Sequence, residues 1–220
     1  RNENGYPIGY FFGYKAIGVF QTQEEIDSYI SPATGKPIQP NAAPGDTKFE
    51  DLNGDGVISD DNEDRTMIGK PNPDWMVGLT VAADWNGFDL SAFFQGSFGA
   101  DVFDALRRYE LAAVNYTSDA LERWTGPGTS NSMPRIVLGD TPKNFRPSTL
   151  LVHDASFLRL RNLQVGYTLP AQLTRKAYIQ RLRFYASFDN LLTITGYKGM
   201  DPEIGSTMGI DKGVYPQARV

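Results

Sequence analysis

Cation binding by oxygen is the chemistry most plainly written in this sequence. Asp51-Leu52-Asn53-Gly54-Asp55-Gly56-Val57-Ile58-Ser59 puts oxygen donors at positions 1, 3, 5, 7 and 9 of an EF-hand-type loop, position 7 through the Val57 carbonyl. Gly56 at position 6 supplies the sharp turn, and Ile58 at position 8 anchors the loop. Acidic and amide side chains on alternate residues are expected to converge on one point, where a cation relieves their repulsion. Such a set of hard oxygens suits Ca²⁺. Position 12 departs from the pattern, because it is Asn62 and not the bidentate Glu. Asp64 is expected to close the site instead, reached by a two-residue insertion. No long paired helices flank the loop, so the ion would stiffen an exposed loop and not drive a switch. The competing reading is an acidic turn with no metal.

Other chemistry is thinly provided. Cysteine is absent, which closes disulfides, zinc thiolates and cysteine nucleophiles. His153 is the only histidine, so a Ser-His-Asp triad would have to use it. His153-Asp154 precedes Ala155-Ser156, but neighbours in an extended segment point to opposite faces. Acidic residues are plentiful enough for a glycosidase pair, yet nothing selects two of them. The reading is therefore not an enzyme. The net charge of −5 and scattered basic residues argue against nucleic acid.

The elements that must position the loop read as strands. Trp75, Val77, Leu79, Val81, Ala83 and Trp85 alternate with Met76, Gly78, Thr80, Ala82 and Asp84. Asn86-Gly87 then signals a hairpin. The return strand shows Phe88, Leu90, Ala92, Phe94, Gly96 and Phe98 on one face and Asp89, Ser91, Phe93, Gln95 and Ser97 on the other. Trp75 and Trp85 stand ten residues apart, as do Phe88 and Phe98. Ten residues of tilted strand rise roughly 23 Å, close to the ~25 Å apolar band between two aromatic girdles of an outer-membrane barrel.

Two further strands fit this plan. Leu163, Val165, Tyr167 and Leu169 alternate with polar positions, but Leu158 and Leu160 are out of phase with them. A bulge near Arg161-Asn162, or emergence of the strand from the bilayer, would explain the slip. Leu182, Phe184, Ala186 and Phe188 oppose Arg183, Tyr185, Ser187 and Asp189, an inner face suited to a wet lumen. Ile8 to Ala16 is a weaker strand candidate. No apolar run is long enough for a transmembrane helix, which says nothing against barrel strands.

Connections alternate between short (85–88 and 170–180) and long (21–72 and 100–155), as in barrels with short periplasmic turns and long outer loops. The long ones are expected to carry helical pieces at Gln23–Ile30, with Thr22 as N-cap, at Asp101–Val114 and at Ser118–Trp124.

Several segments together resemble a family. Gly18-Val19-Phe20-Gln21 with Glu24-Glu25-Ile26, and Pro44-Gly45-Asp46 through the acidic loop to Asp64-Arg65-Thr66 and Ile68-Gly69, begin the match. Phe157-Leu158-Arg159-Leu160-Arg161-Asn162, Gly166-Tyr167, Asp189-Asn190-Leu191-Leu192-Thr193, Tyr197-Lys198-Gly199, Asp201-Pro202-Glu203 and Tyr215-Pro216 continue it in order. The chain is similar over nearly its whole length to the C-terminal third or quarter of SusC/RagA-type TonB-linked outer-membrane proteins. The resemblance implies an all-β fold, the C-terminal segment of a roughly 22-stranded transmembrane antiparallel barrel whose long extracellular loops contain short helices. On that reading 1–220 is a partial barrel, truncated at both ends, with 21–72 a calcium-bearing loop and 100–155 a second long loop.

The same resemblance implies outer-membrane localisation, import of glycans or peptides in Bacteroidetes-type bacteria, a SusD-like surface lipoprotein partner, and TonB reached through an N-terminal part lying outside this chain. The metal ligands would be Asp51, Asn53, Asp55, Val57, Ser59 and Asp64. Tyr109, Tyr116, Trp124 and Tyr197 are candidate ligand platforms, since aromatic rings stack on sugars, and equally candidate loop-core residues. The alternative is a soluble, calcium-stabilised β domain that binds carbohydrate or protein.

Overall fold

The computed structural model describes residues 1–106, 109, 111, 115–203, 208–211 and 213. In chain order the elements are β1 (Phe11–Tyr14), β2 (Ala16–Val19), α1 (Gln23–Ser28), β3 (Thr47–Phe49), β4 (Arg65–Gly69), β5 (Trp75–Trp85) and β6 (Phe88–Phe98). There follow β7 (Asp101–Asp104), β8 (Val152–Asp154), β9 (Phe157–Thr168), α2 (Ala171–Thr174), β10 (Arg183–Thr195) and β11 (Ile210–Asp211). They fall into two compact units. The first comprises the described residues of Arg1–Pro71, Val102–His153 and Ser206–Lys212, the second those of Asn72–Asp101, Asp154–Gly205 and Gly213–Val220.

In the second unit one antiparallel sheet runs in the order β10-β9-β6-β5. The hairpin has the expected register, with Trp75 opposite Phe98 and Trp85 opposite Phe88. Asn86 and Gly87 take φ of 47° and 88°, as a type I′ turn demands. The phase slip is a bulge. Arg161 has no partner in the β6–β9 ladder, where the register jumps between Phe93 and Phe94, and the β9–β10 ladder skips Asn190 and Leu191. One extra residue in β9 returns Leu158 and Leu160 to the face of Leu163 and Val165, so the apolar face stays continuous.

In the first unit β1 pairs antiparallel with β4 and β2 with β3, while β11, β7 and β8 form a three-stranded sheet. Tyr14, Phe20, Ile26 and Phe49 are almost wholly buried. The Tyr14 and Phe49 rings lie 5.7 Å apart, and Phe20 and Tyr29 6.0 Å. The α1 helix starts where expected, with the Thr22 hydroxyl accepting from the Glu25 amide, and Ile26 is its one buried side chain. A second cluster gathers Tyr109, Ala120 and Met133, with Ile136 and Phe145 against it.

Two expectations need correction and one is sharpened. Asp101 begins a strand, not a helix: Val102 and Asp104 point inward on alternate residues, a period of two. The rest of that expected helix includes 107, 108, 110 and 112–114, which lie outside the described residues. Ser118–Glu122 coils more tightly, as a 3₁₀ helix. The strand within Ile8–Ala16 exists, but it pairs with β4 in the first unit and not with the long sheet. Its tyrosines and phenylalanines therefore cover a globular core.

Candidate functional site

The acidic loop hangs between β3 and β4. Asp51 turns the chain by accepting amide hydrogens from Gly54 and Gly56, each at 2.8 Å. Asn53 and Asp55 repeat the device on the Asp55 and Val57 amides (3.0 and 2.8 Å). These are the local side chain–backbone turns that Asp and Asn favour. Gly56 has φ of +87°, and a Cβ there would come within 2.7 Å of the Ser31 Cβ, so the position tolerates no side chain.

Asp64 enters from the far end of the loop and is fully buried. Its carboxylate accepts from the Leu52 amide at 3.2 Å and the Ser59 amide at 2.9 Å, which joins the two ends of the loop. The Tyr14 hydroxyl donates to the Ser59 carbonyl (2.6 Å), fixing the loop to the core. Asn53 also donates to Glu63 at 3.0 Å, a loop contact that the spacing argument did not single out.

The electrostatics are lopsided. Lys143 hydrogen-bonds Asp60 and holds that carboxyl below the usual carboxylate range. The Ser59 hydroxyl does the same for Asp61. Among the described residues, no Lys or Arg pairs with Asp51, Asp55, Glu63 or Asp64. The donor set is all hard oxygen and fits Ca²⁺ in kind. It is not converged, however: no three Asp, Glu, His or Cys side chains among the described residues are gathered at metal-binding spacing. Asp51 and Asp64 face backbone amides instead.

The four aromatic candidates have different surroundings. Tyr109 is core, 2% exposed, its ring 5.3 Å from Phe145 and its hydroxyl 2.7 Å from Thr117. Tyr116 packs on Tyr109 at 5.8 Å but keeps 45% of its surface exposed. Trp124 donates from Nε1 to Gln21 at 3.2 Å and is half-buried. Tyr197 belongs to the second unit and is buried. The structure brings only Tyr109 and Tyr116 together.

Two features escaped the sequence argument. Asp46, buried, accepts from Arg135 Nε and Nη2 (2.6 and 3.2 Å) and from Asn144 (3.1 Å). Its partners lie 89 and 98 residues away, so no local pattern announces them. Beside it a cleft of about 700 Å³ is lined by Lys36, Ile38, Pro40, Val57, Pro142 and Arg146, which makes the acidic loop one of its walls. His153 lies 4.0 Å from Asp104, whereas the Ser156 hydroxyl donates to Asp154 at 2.5 Å.

The sheet of the second unit has two unlike faces. Its outward positions carry no charged or amide side chain outside the bulge, and many of its large residues are bare: Trp75 is 72% exposed, Leu79 59% and Trp85 76%. The inward face is mixed, carrying Met76, Phe93 and Tyr185 among its polar residues, and is tied together by ion pairs and hydrogen bonds. Arg183 reaches across β9 to Asp89 (3.0 and 2.5 Å) above Gly166, where a Cβ would meet both side chains at 2.6 Å. Buried Arg159 donates to Thr193 (2.9 Å), Glu203 (2.8 Å) and Asp201 (2.5 Å). Bulged Arg161 holds Gln95 (2.7 Å), Asn190 (3.1 Å) and Glu203.

Relatives of known type match this whole arrangement. The TonB-dependent receptor P3 of Formosa agariphila is 34% identical over 226 residues, covering 98% of this chain and 21% of that protein. The TonB-dependent receptor SusC of Bacteroides thetaiotaomicron is 30% identical over 220 residues, covering 99% of this chain and 20% of its own length. The solved RagAB peptide transporter superposes with a TM-score of 0.69 at 27% identity, over 99% of this chain and 22% of that one. This chain is a segment of a SusC/RagA-like TonB-dependent receptor. It spans about a fifth of the length of the curated relatives it matches. No protein-family model matches it. Within this family the four-stranded sheet is a piece of barrel wall, all-β and not closed on itself.

Proposed function

We propose that the segment belongs to an outer-membrane porter that imports glycans or peptides, driven through TonB and assisted by a SusD-like surface lipoprotein. The observation that carries this reading is the outward face of β5, β6, β9 and β10. A four-stranded face without charge, with rings at its two ends, is costly in water and natural in a bilayer. A soluble domain would have covered it. The inward face, with its Asp, Arg and Gln pairs, suits a hydrated lumen. The short turns then face the periplasm and the long connections the outside. Similarity to SusC and to the RagAB peptide transporter supports nutrient uptake.

In this reading the first unit is where ligand and lipoprotein are met. Tyr116, with its exposed ring, is the best placed of the four aromatic candidates. The Asp51–Asp64 loop takes Ca²⁺, with Asp51, Asn53, Asp55, the Val57 carbonyl, Ser59 and Asp64 as donors. The ion would neutralise carboxylates that lack a basic partner and stiffen one wall of the neighbouring cleft.

The test is genetic and biochemical. Deleting the gene that encodes the receptor should abolish growth on one class of glycan or peptide, and deleting TonB should do the same. The parent protein should also require detergent or lipid to stay dispersed. Dispersal as a soluble monomer, or unimpaired growth on every oligomeric nutrient tried, would sink the porter reading.

A further inference from the structure

The short-turn end of the wall carries a charge pattern that neither the barrel nor the import reading uses. From Ala155 to Phe188 the sequence contains no Asp or Glu, although the chain as a whole is acidic. The six cations of that stretch divide in two. Arg159, Arg161 and Arg183 point inward and are paired with Asp201, Glu203 and Asp89. Arg175, Lys176 and Arg181 lie in the connection between β9 and β10 and are exposed; Arg181 shares a pocket with Asp84, Asp89 and Arg183, whereas Arg175 and Lys176 form no ion pair among the described residues.

That connection is ordered and greasy. The Leu173 amide donates to Pro170, Tyr178 to Arg175 and Ile179 to Thr174. Even so, Leu173 is 57% exposed, Tyr178 98% and Ile179 39%. It springs from the end of the sheet where Trp85, Phe88 and Tyr167 stand side by side, since Thr168 donates to the Gly87 carbonyl and Leu169 to that of Leu182. Unpaired cations interleaved with bare apolar side chains, continuous with an aromatic girdle, form the arrangement that seats phosphate headgroups while the apolar groups enter the acyl boundary.

We propose that Arg175 and Lys176, with Leu173, Tyr178 and Ile179, bind the headgroups of anionic phospholipid in the leaflet that faces the short turns. The inference rests on the barrel-wall reading and adds a lipid class to it. Charge complementarity selects an anionic over a zwitterionic headgroup. Continuity with the girdle selects a lipid over a free phosphate.

The experiment uses the complete receptor, reconstituted in bilayers of phosphatidylcholine with or without phosphatidylglycerol. Heat-modifiable mobility first shows that it has inserted, and native mass spectrometry then counts retained lipids. Wild-type receptor should retain phosphatidylglycerol over phosphatidylcholine. The double variant Arg175→Gln/Lys176→Gln should insert equally well and lose that preference by roughly tenfold to thirtyfold. Neutralising Lys36, an exposed cation of the first unit, should change nothing. An unchanged preference in the double variant overturns the proposal while leaving the barrel reading intact. So does displacement of the lipid by millimolar inorganic phosphate. Failure of the wild-type receptor to enter either bilayer overturns both readings.

Discussion

Phe49 in the first unit and Leu79 in the second are both large apolar residues on short-period strands. Phe49 has no exposed surface and Leu79 is 59% exposed. The first unit solves the hydrophobic problem as a water-soluble protein does, by folding Tyr14, Phe20, Ile26 and Phe49 inward. The second leaves its apolar side chains outside and puts its ion pairs inside. The same amino-acid types thus serve two solvents in one chain, and the face they occupy tells which.

The contrast can be broken by substitution. Phe49→Ala should cost about 3–5 kcal/mol, through lost burial and the cavity left under Tyr14 and Arg146. Hydrogen exchange across β3 would reveal it; unchanged protection would deny the first unit a true core. Arg159→Ala should cost about as much, roughly 3–5 kcal/mol, because it strands Asp201 and Glu203 on the inner face. Early proteolysis after β10 is the expected sign. Leu79→Arg is the sharper test of the other face. At mid-height of a lipid-facing strand, Arg costs about 2–4 kcal/mol, whereas on a soluble surface it would be silent. Refolding of the receptor into bilayers decides between them.

Calcium probes the first unit alone. At a hundredfold excess over its dissociation constant, the ion should stabilise that unit by about 2.7 kcal/mol, reversibly on chelation. Asp51→Asn combined with Asp55→Asn should erase the gain. A melting temperature indifferent to both Ca²⁺ and chelator would leave an acidic turn without metal. The smallest effect concerns pH. Asp60 is held below its usual value by Lys143, so its contribution is whole above the ordinary Asp value and fades as pH falls through the lowered one. Asp60→Asn should therefore flatten the acid limb of stability only below about pH 4. Both partners are exposed, so the change should be slight.

Much of this was legible residue by residue. Trp75–Trp85 and the Phe88–Phe98 return follow from strict alternation, because a strand shows its two sides every second residue; the Asn86-Gly87 turn follows from residue type, and the slip near Arg161 from a break in the alternation. Thr22 marked the start of α1 for an equally local reason. The Asp101 segment misled, since Asp101-Val102-Phe103-Asp104-Ala105-Leu106 has apolar spacing compatible with either period, and its choice of strand depends on β11 and β8. Tyr109 misled in another way: an aromatic residue in a long connection looks available until Phe145 and Met133 are seen against it.

Sequence by itself determined which side chains share a face in the long strands and where the chain turns. Those properties arise from neighbours within a few residues. Only the tertiary structure decided that the long connections gather around a core of their own, that Asp46 is clasped by Arg135 and Asn144, and that Arg159 and Arg161 grip Asp201 and Glu203. These contacts join residues 42 to 98 positions apart, and they form when burial makes an unpaired charge too costly to leave.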